Sequence, residues 1–423
     1  MKTRALALLW LLSTPWPCWA TEATPPIHQP VGASVEELLK LAQSLNPELA
    51  AAALDHDAAL ARVEGADTLP DPIFQITFDD ISKNDAGWPS RTGVYKYTLK
   101  QEIPGWGKRD TRRAIAEAGS REANAQREER IAEVMMRVKT AYADYHRVHL
   151  SMDQTSELIQ VMRALVEFAR VRYAQGAGQH LEATSAEAER GALSMELTRL
   201  EKERHRIRAR LNTLVNRPPD APLVEHPHLR PLPAGASLDP AQLLERALSA
   251  NPDLKMSQAR LEGAAGEKRL ADQNWLPDVE VGFGLVDRRE EGMRDGFEAM
   301  VGMNLPIRGS WRSSAEREAL ARQQAAGERV NAARLKLQSD LREASLSLEE
   351  ARQVEKSATE ILLPQARIAL QSALKGYEAG IAEATTVLDA VQRLKKFQIE
   401  RVKAQFEQQV RLAEIERLIG GDL

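Results

Sequence analysis

The chain has 423 residues, more than one small core requires, with 28% charged and only 5% aromatic side chains. That balance suits long helices packed through alanine and leucine. The formal net charge is −4, and it falls to −6 if residues 1–20 are removed, since they carry Lys2 and Arg4; this argues against nucleic acid as a partner.

Residues 1–20 read as a secretory signal peptide: basic Lys2 and Arg4, apolar Ala5 to Leu12, then small residues at Cys18 and Ala20. The apolar stretch is shorter than the ~20 residues a permanent span needs. Cys18 is the only cysteine. Either the chain is cleaved after Ala20, or Cys18 carries a lipid anchor; the flanking Trp16-Pro17 favours simple cleavage. Past the signal there are no cysteines for disulfides or thiolate metal sites.

Beyond the signal, the chain is written twice, with an offset of about 205 residues. Asn46-Pro47-Glu48-Leu49 returns as Asn251-Pro252-Asp253-Leu254, and Leu69-Pro70-Asp71 as Leu276-Pro277-Asp278. Tyr173-Ala-Gln-Gly176 returns as Tyr377-Glu-Ala-Gly380. Residues 21–216 form the first repeat, 217–239 a proline-rich linker that cannot be regular helix, and 240–423 the second repeat.

Each repeat opens with a helix, Val35 to Ala66 and Pro240 to Asn274, the first capped by Ser34 with Glu37 three residues on. Two short strands follow in each. Phe74, Ile76 and Phe78 alternate with polar residues, as do Tyr95, Tyr97 and Leu99. Val279, Val281, Phe283 and Leu285 share one face, and so do Phe297, Ala299, Val301, Met303 and Leu305. Strands of ~8–10 residues cross a bilayer at a tilt. The intervening loops, Ser82 to Thr92 and Arg288 to Gly296, are polar and would face the exterior. Strand alternation alone also fits a small soluble sheet packed on helices. The export signal and the rods that follow favour the membrane, and four strands are too few to close a pore alone, so the membrane reading requires an oligomer.

The next segments are very long helices, Lys108 to Tyr173 and Arg312 to Tyr377, each with a shorter return helix ending near Val215 and Ile419. Ile131, Val134, Val138, Ala141, Tyr145, Val148 and Met152 step by three and four, as do Leu337, Leu341, Ala344, Leu348 and Ala351. This is a coiled-coil seam, on a rod of ~100 Å. Pro364 should loosen the second rod, and the first has no counterpart.

The repeated Asn-Pro and Leu-Pro-Asp motifs, with Leu363-Pro364-Gln-Ala366, Tyr377-x-x-Gly380 and Val387-Leu388-Asp389-Ala390, resemble the TolC-like outer-membrane factor family over nearly the whole chain past residue 20. The resemblance implies a mainly α fold with a small β part: duplicated long helical hairpins forming a periplasmic α-barrel, and four membrane strands per chain in a trimeric twelve-stranded β-barrel. It implies a homotrimer in the Gram-negative outer membrane, reaching through the periplasm to an adaptor (membrane fusion protein) and an inner-membrane pump of RND type. It places Gly176, Gly380, Tyr173 and Tyr377 at the tips that meet the adaptor. It places Asp389 at the pore entrance, preceded by Thr386 where relatives carry a second aspartate. The segment Gln101-Glu-Ile-Pro-Gly-Trp-Gly-Lys108-Arg109 resembles the heavy-metal efflux branch, the CzcC- and CusC-like channels.

The expected function is passive export, with heavy-metal cations as cargo and small organic compounds or drugs as the alternative. A periplasmic coiled-coil adaptor or scaffold is the rival from another class. Motifs for phosphate binding, nucleophilic catalysis or zinc ligation are absent, so neither enzymatic activity nor a cofactor is expected. His146 and His149 have a spacing that could hold a metal ion, and His226 with His228 is a similar pair; both are read as structural or solvated.

Overall fold

A computed structural model describes residues 30–79, 93–176, 178–233, 239–288, 294–307 and 309–423. The signal peptide with Cys18 and the loop Ser82 to Thr92 lie outside the described residues, as do parts of the second strand loop and of the linker.

The helix expected over Val35 to Ala66 is two helices, α1 (Val35–Leu45) and α2 (Pro47–Ala66). The break is made by Asn46, held in extended conformation ahead of a proline. Its side chain caps α2 by accepting from Glu48 N at 2.8 Å and Leu49 N at 3.3 Å. Its amide donates to Leu214 O at 2.8 Å. The second repeat breaks in the same way, into α5 (Pro240–Ala250) and α6 (Pro252–Gln273): Asn251 accepts from Leu254 N at 2.9 Å and donates to Leu418 O at 2.9 Å. Each Asn-Pro motif thus starts one helix and anchors the end of another. At the first helix, Ser34 makes no side-chain cap to the α1 backbone; Glu37 instead accepts from Gly32 N at 2.8 Å and Ala33 N at 3.2 Å.

The strands are β1 (Ile73–Asp79), β2 (Val94–Ile103), β3 (Val279–Arg288) and β4 (Gly296–Met303), joined as one antiparallel sheet in the order β1-β2-β3-β4. The two hairpins therefore meet through β2 and β3, and β1 and β4 are the edges.

The first rod, α3, runs Lys108–Ala174 and returns as α4, His180–Leu214. The second starts as α7 (Ser310–Ser357), passes through a π-helical turn at Ala358–Leu362, continues as α8 (Leu363–Glu378) and returns as α9 (Ala384–Leu418). The π turn just precedes Pro364, where a missing N–H and a bulky ring rule out regular helical bonding. Leu363 N bonds Ala358 O, one residue wider than an α turn.

The seam residues lie where their spacing puts them. Val134, Val138, Ala141, Tyr145 and Val148 are buried in one core cluster with α1 and α4, and Leu337, Leu341, Ala344 and Leu348 in another with α5 and the end of α9. A third cluster fills the far end of both hairpins, between α3, α4, α8 and α9. Among the described residues, no helix is long and apolar enough to cross a membrane.

Candidate functional site

Two regions can act on a solute or a partner: the sheet and the far ends of the rods. In the sheet, register sorts the side chains. Phe74 pairs with Leu99, Leu99 with Phe283 and Phe283 with Ala299; Ile76 pairs with Tyr97, Tyr97 with Leu285 and Leu285 with Phe297. Because partners in register share a face, these residues form one apolar surface across all four strands. It is bare: Phe74 is 62% exposed, Phe283 59% and Phe297 77%. The opposite face carries Lys96, paired with Asp79 at 2.8 Å, and Lys100, paired with Glu280 at 3.3 Å. Trp106 and Trp311 are exposed where strands give way to rods, the level at which tryptophan sits in a membrane interface.

That junction is built by the segment Gln101 to Arg109. Asp278, from the second Leu-Pro-Asp motif, accepts from Gly105 N and from Lys108 Nζ at 2.8 Å, and Lys108 Nζ also donates to Leu276 O at 3.0 Å. A Cβ on Gly105 would lie 2.5 Å from Pro277 O, so only glycine fits there. The residues that suggested a cargo are therefore accounted for by the turn from strand to rod.

At the far ends, Gly176 and Gly380 have φ of +70° and +72°. In the second turn, Gly380 N donates to Tyr377 O at 3.1 Å and Ile381 N to Gly376 O at 2.8 Å, the two bonds that close a helix through a left-handed glycine. Gly176 N likewise donates to Tyr173 O at 3.0 Å.

The two tip tyrosines, equivalent in sequence, differ in environment. Tyr173 is 52% exposed, its ring edge-on to His180. Tyr377 is 1% exposed. Its hydroxyl donates to Glu182 Oε2 at 2.8 Å, the Arg172 guanidinium lies 4.8 Å over its ring, and Arg172 also donates to Tyr377 O at 3.3 Å. Burial, and then the adjoining Glu182 carboxylate, push the phenol up to about 12. Tyr377 thus ties the second hairpin to the first from inside, and its side chain offers no free surface to a partner in this state. Arg172 and Glu182 were not singled out from sequence, where nothing links either to Tyr377.

Asp389 and Thr386 are both exposed on α9, and a spacing of three places them on one side of the helix. The intervening Val387, with Ala390 and Val391, faces the hairpin core. The exposed side, with its carboxylate, points away from the rest of the chain.

The family model described as outer membrane efflux protein matches residues 38–217 and 243–421. The pyoverdine export outer membrane protein OpmQ of Pseudomonas putida is 25% identical over 418 residues, spanning 92% of this chain and 86% of the relative. The outer membrane protein VceC of Vibrio cholerae superposes with a TM-score of 0.80 at 20% identity, covering 92% of this chain and 97% of its own. CusC, described as forming a transmembrane channel, superposes with a TM-score of 0.76 at 16% identity, covering 95% and 96%.

Proposed function

From this chain's membership of the outer membrane efflux protein family, and so from its place among the outer-membrane channels of tripartite efflux systems, we propose that it is the subunit of a homotrimeric passive conduit. The observation that carries the proposal is the continuous bare apolar face of the sheet. Edge strands β1 and β4 cannot face lipid with unpaired backbone groups, so copies must join edge to edge. Two copies would give a barrel that side chains fill; a conduit needs at least a third. Three copies give the twelve strands implied by the family resemblance. The scaffold reading is disfavoured by the same face, which a periplasmic protein would have no reason to leave bare.

The tips would meet a periplasmic adaptor through Gly176, Gly380 and exposed Tyr173, and the adaptor would join the channel to an inner-membrane pump of RND type. Tyr377 acts differently in this reading, as an internal latch that adaptor docking strains. Asp389 and Thr386 would ring the entrance, three carboxylates around one axis attracting cations. No chemistry is assigned to the channel, and the driving energy comes from the pump.

For cargo, small organic compounds are favoured over heavy-metal cations. The junction segment behind the metal expectation has a structural role, and OpmQ is a pyoverdine exporter by name. The test is single-channel recording of the purified protein in planar bilayers. Wild type should conduct and be blocked by multivalent cations, and Asp389→Asn should relieve the block. A water-soluble single copy without conductance would refute the conduit, and unchanged block would remove Asp389 from the entrance. Deletion, followed by metal and drug sensitivity tests, decides the cargo.

A further inference from the structure

The two histidine pairs, far apart in sequence, meet in the fold. The linker after Leu223 descends α3 in the opposite direction. His226 lies against His149, the His228 backbone against the Tyr142 hydroxyl, and Arg230 reaches Glu416 beside Lys139. The match is one of overall length: from His149 to Lys139 the helix advances ~15 Å, and from His226 to Arg230 an extended chain covers ~13 Å, so the linker keeps pace with α3 across these contacts.

At the upper step the His149 and His226 ring centroids are 6.1 Å apart, with planes at 64°. His149 is 7% exposed, and its Nε2 is fully buried without a hydrogen-bond partner. A buried polar nitrogen without a partner calls for explanation. Its neighbours account for packing but not for that atom: Tyr145 stacks edge-on at 4.6 Å, and Arg204 of α4, Asp153 of α3 and Glu225 of the linker supply the surrounding charge.

We propose that His149 and His226 form a two-imidazole site for a late first-row divalent cation, Cu²⁺, Ni²⁺ or Zn²⁺, flanked by His146 and His228. Metal–nitrogen bonds of ~2.0–2.1 Å place two rings on a shared ion with centroids ~5–6.5 Å apart, a range that includes the observed separation. Imidazole selects these metals over calcium or magnesium. Among the described residues no three His, Cys, Asp or Glu side chains are grouped to hold a metal, so water completes the coordination. The ion would pin the linker to α3. This site is resident and stands apart from the conduit reading, since binding requires no transport.

The test titrates purified full-length protein in detergent with Cu²⁺, read by electron paramagnetic resonance, and with Zn²⁺, read by calorimetry. The expected result is one ion per chain with nitrogen hyperfine structure. Binding should weaken by roughly tenfold or more in His226→Gln and in His149→Gln, and be unchanged in His180→Gln. His226 is exposed, so its replacement leaves the core intact and the test does not depend on the buried variant. Equal affinity in wild type and His226→Gln would overturn the proposal. So would an all-oxygen copper spectrum, or no stoichiometric binding.

Discussion

Glu416 near the end of α9 is 3% exposed and holds together three parts of the chain. It accepts from Lys139 of α3 at 2.8 Å, from Arg230 of the linker at 2.8 and 3.0 Å, and from Leu423 N at 3.1 Å. Lys139 is itself 7% exposed and has a second partner in Asp422, whose side chain is 73% exposed. In Glu416→Gln the amide oxygen can still accept one hydrogen bond, but two cations lose their shared buried counter-charge. Breaking a buried pair from one side costs ~3–5 kcal/mol. Partial rescue of Lys139 by Asp422 and the 16% exposure of the Arg230 side chain put this case at the low end, about 3 kcal/mol. Lys139→Met removes one of the stranded cations, so the double variant should recover part of the loss. Denaturant unfolding of the four proteins in one detergent gives the coupling energy, expected to be ~2 kcal/mol. Additivity within ~0.5 kcal/mol would show that Lys139 and Glu416 do not act as a pair.

Phe283→Arg at the middle of β3 should destabilise the membrane-inserted state by ~2–4 kcal/mol, whereas Gln75→Arg on the opposite face should cost far less; equal folding yields into vesicles would contradict the assignment of faces. Acidification should weaken the fold through His149. The unfolded chain protonates near 6.5 and the folded one near about 4, so the stabilisation is present above 6.5 and lost as pH falls between these values. It is worth ~3 kcal/mol at most. The loss from pH 7.5 to 4.5 should shrink in His149→Leu, and an identical pH profile would count against it. Tyr377→Phe deletes the bond to Glu182, a hydrogen bond to a charged group worth ~1.5–3 kcal/mol. The entrance should then open about tenfold more often in single-channel records, and an unaltered open probability would remove Tyr377 from the latch.

The parts of the fold that the sequence discloses are those written in periodicity. Steps of three and four mark the seams that bury Val134, Val138 and Leu341, and alternation marks the lipid-facing side of each strand. Pro364 announces the π turn, because a missing donor has a local consequence. The Asn-Pro breaks are themselves local, made by the asparagine cap and the proline, although a helix pattern on both sides of Asn46 and Asn251 covers them. What no local pattern shows is their distant anchor, the last carbonyls of α4 and α9. The same holds at the tips. Tyr173 and Tyr377 occupy matching places in the repeat, and only packing makes one exposed and the other buried. Arg172, Glu182 and the meeting of the four histidines depend on how segments cross, which no window of sequence contains.

The π turn at Ala358–Leu362 occurs in one rod of each chain and not in the other. A ring made from several copies would therefore alternate stiff staves with compliant ones. Bending would concentrate in every second stave, at one height, leaving the rest as a fixed frame against which a narrow mouth can widen.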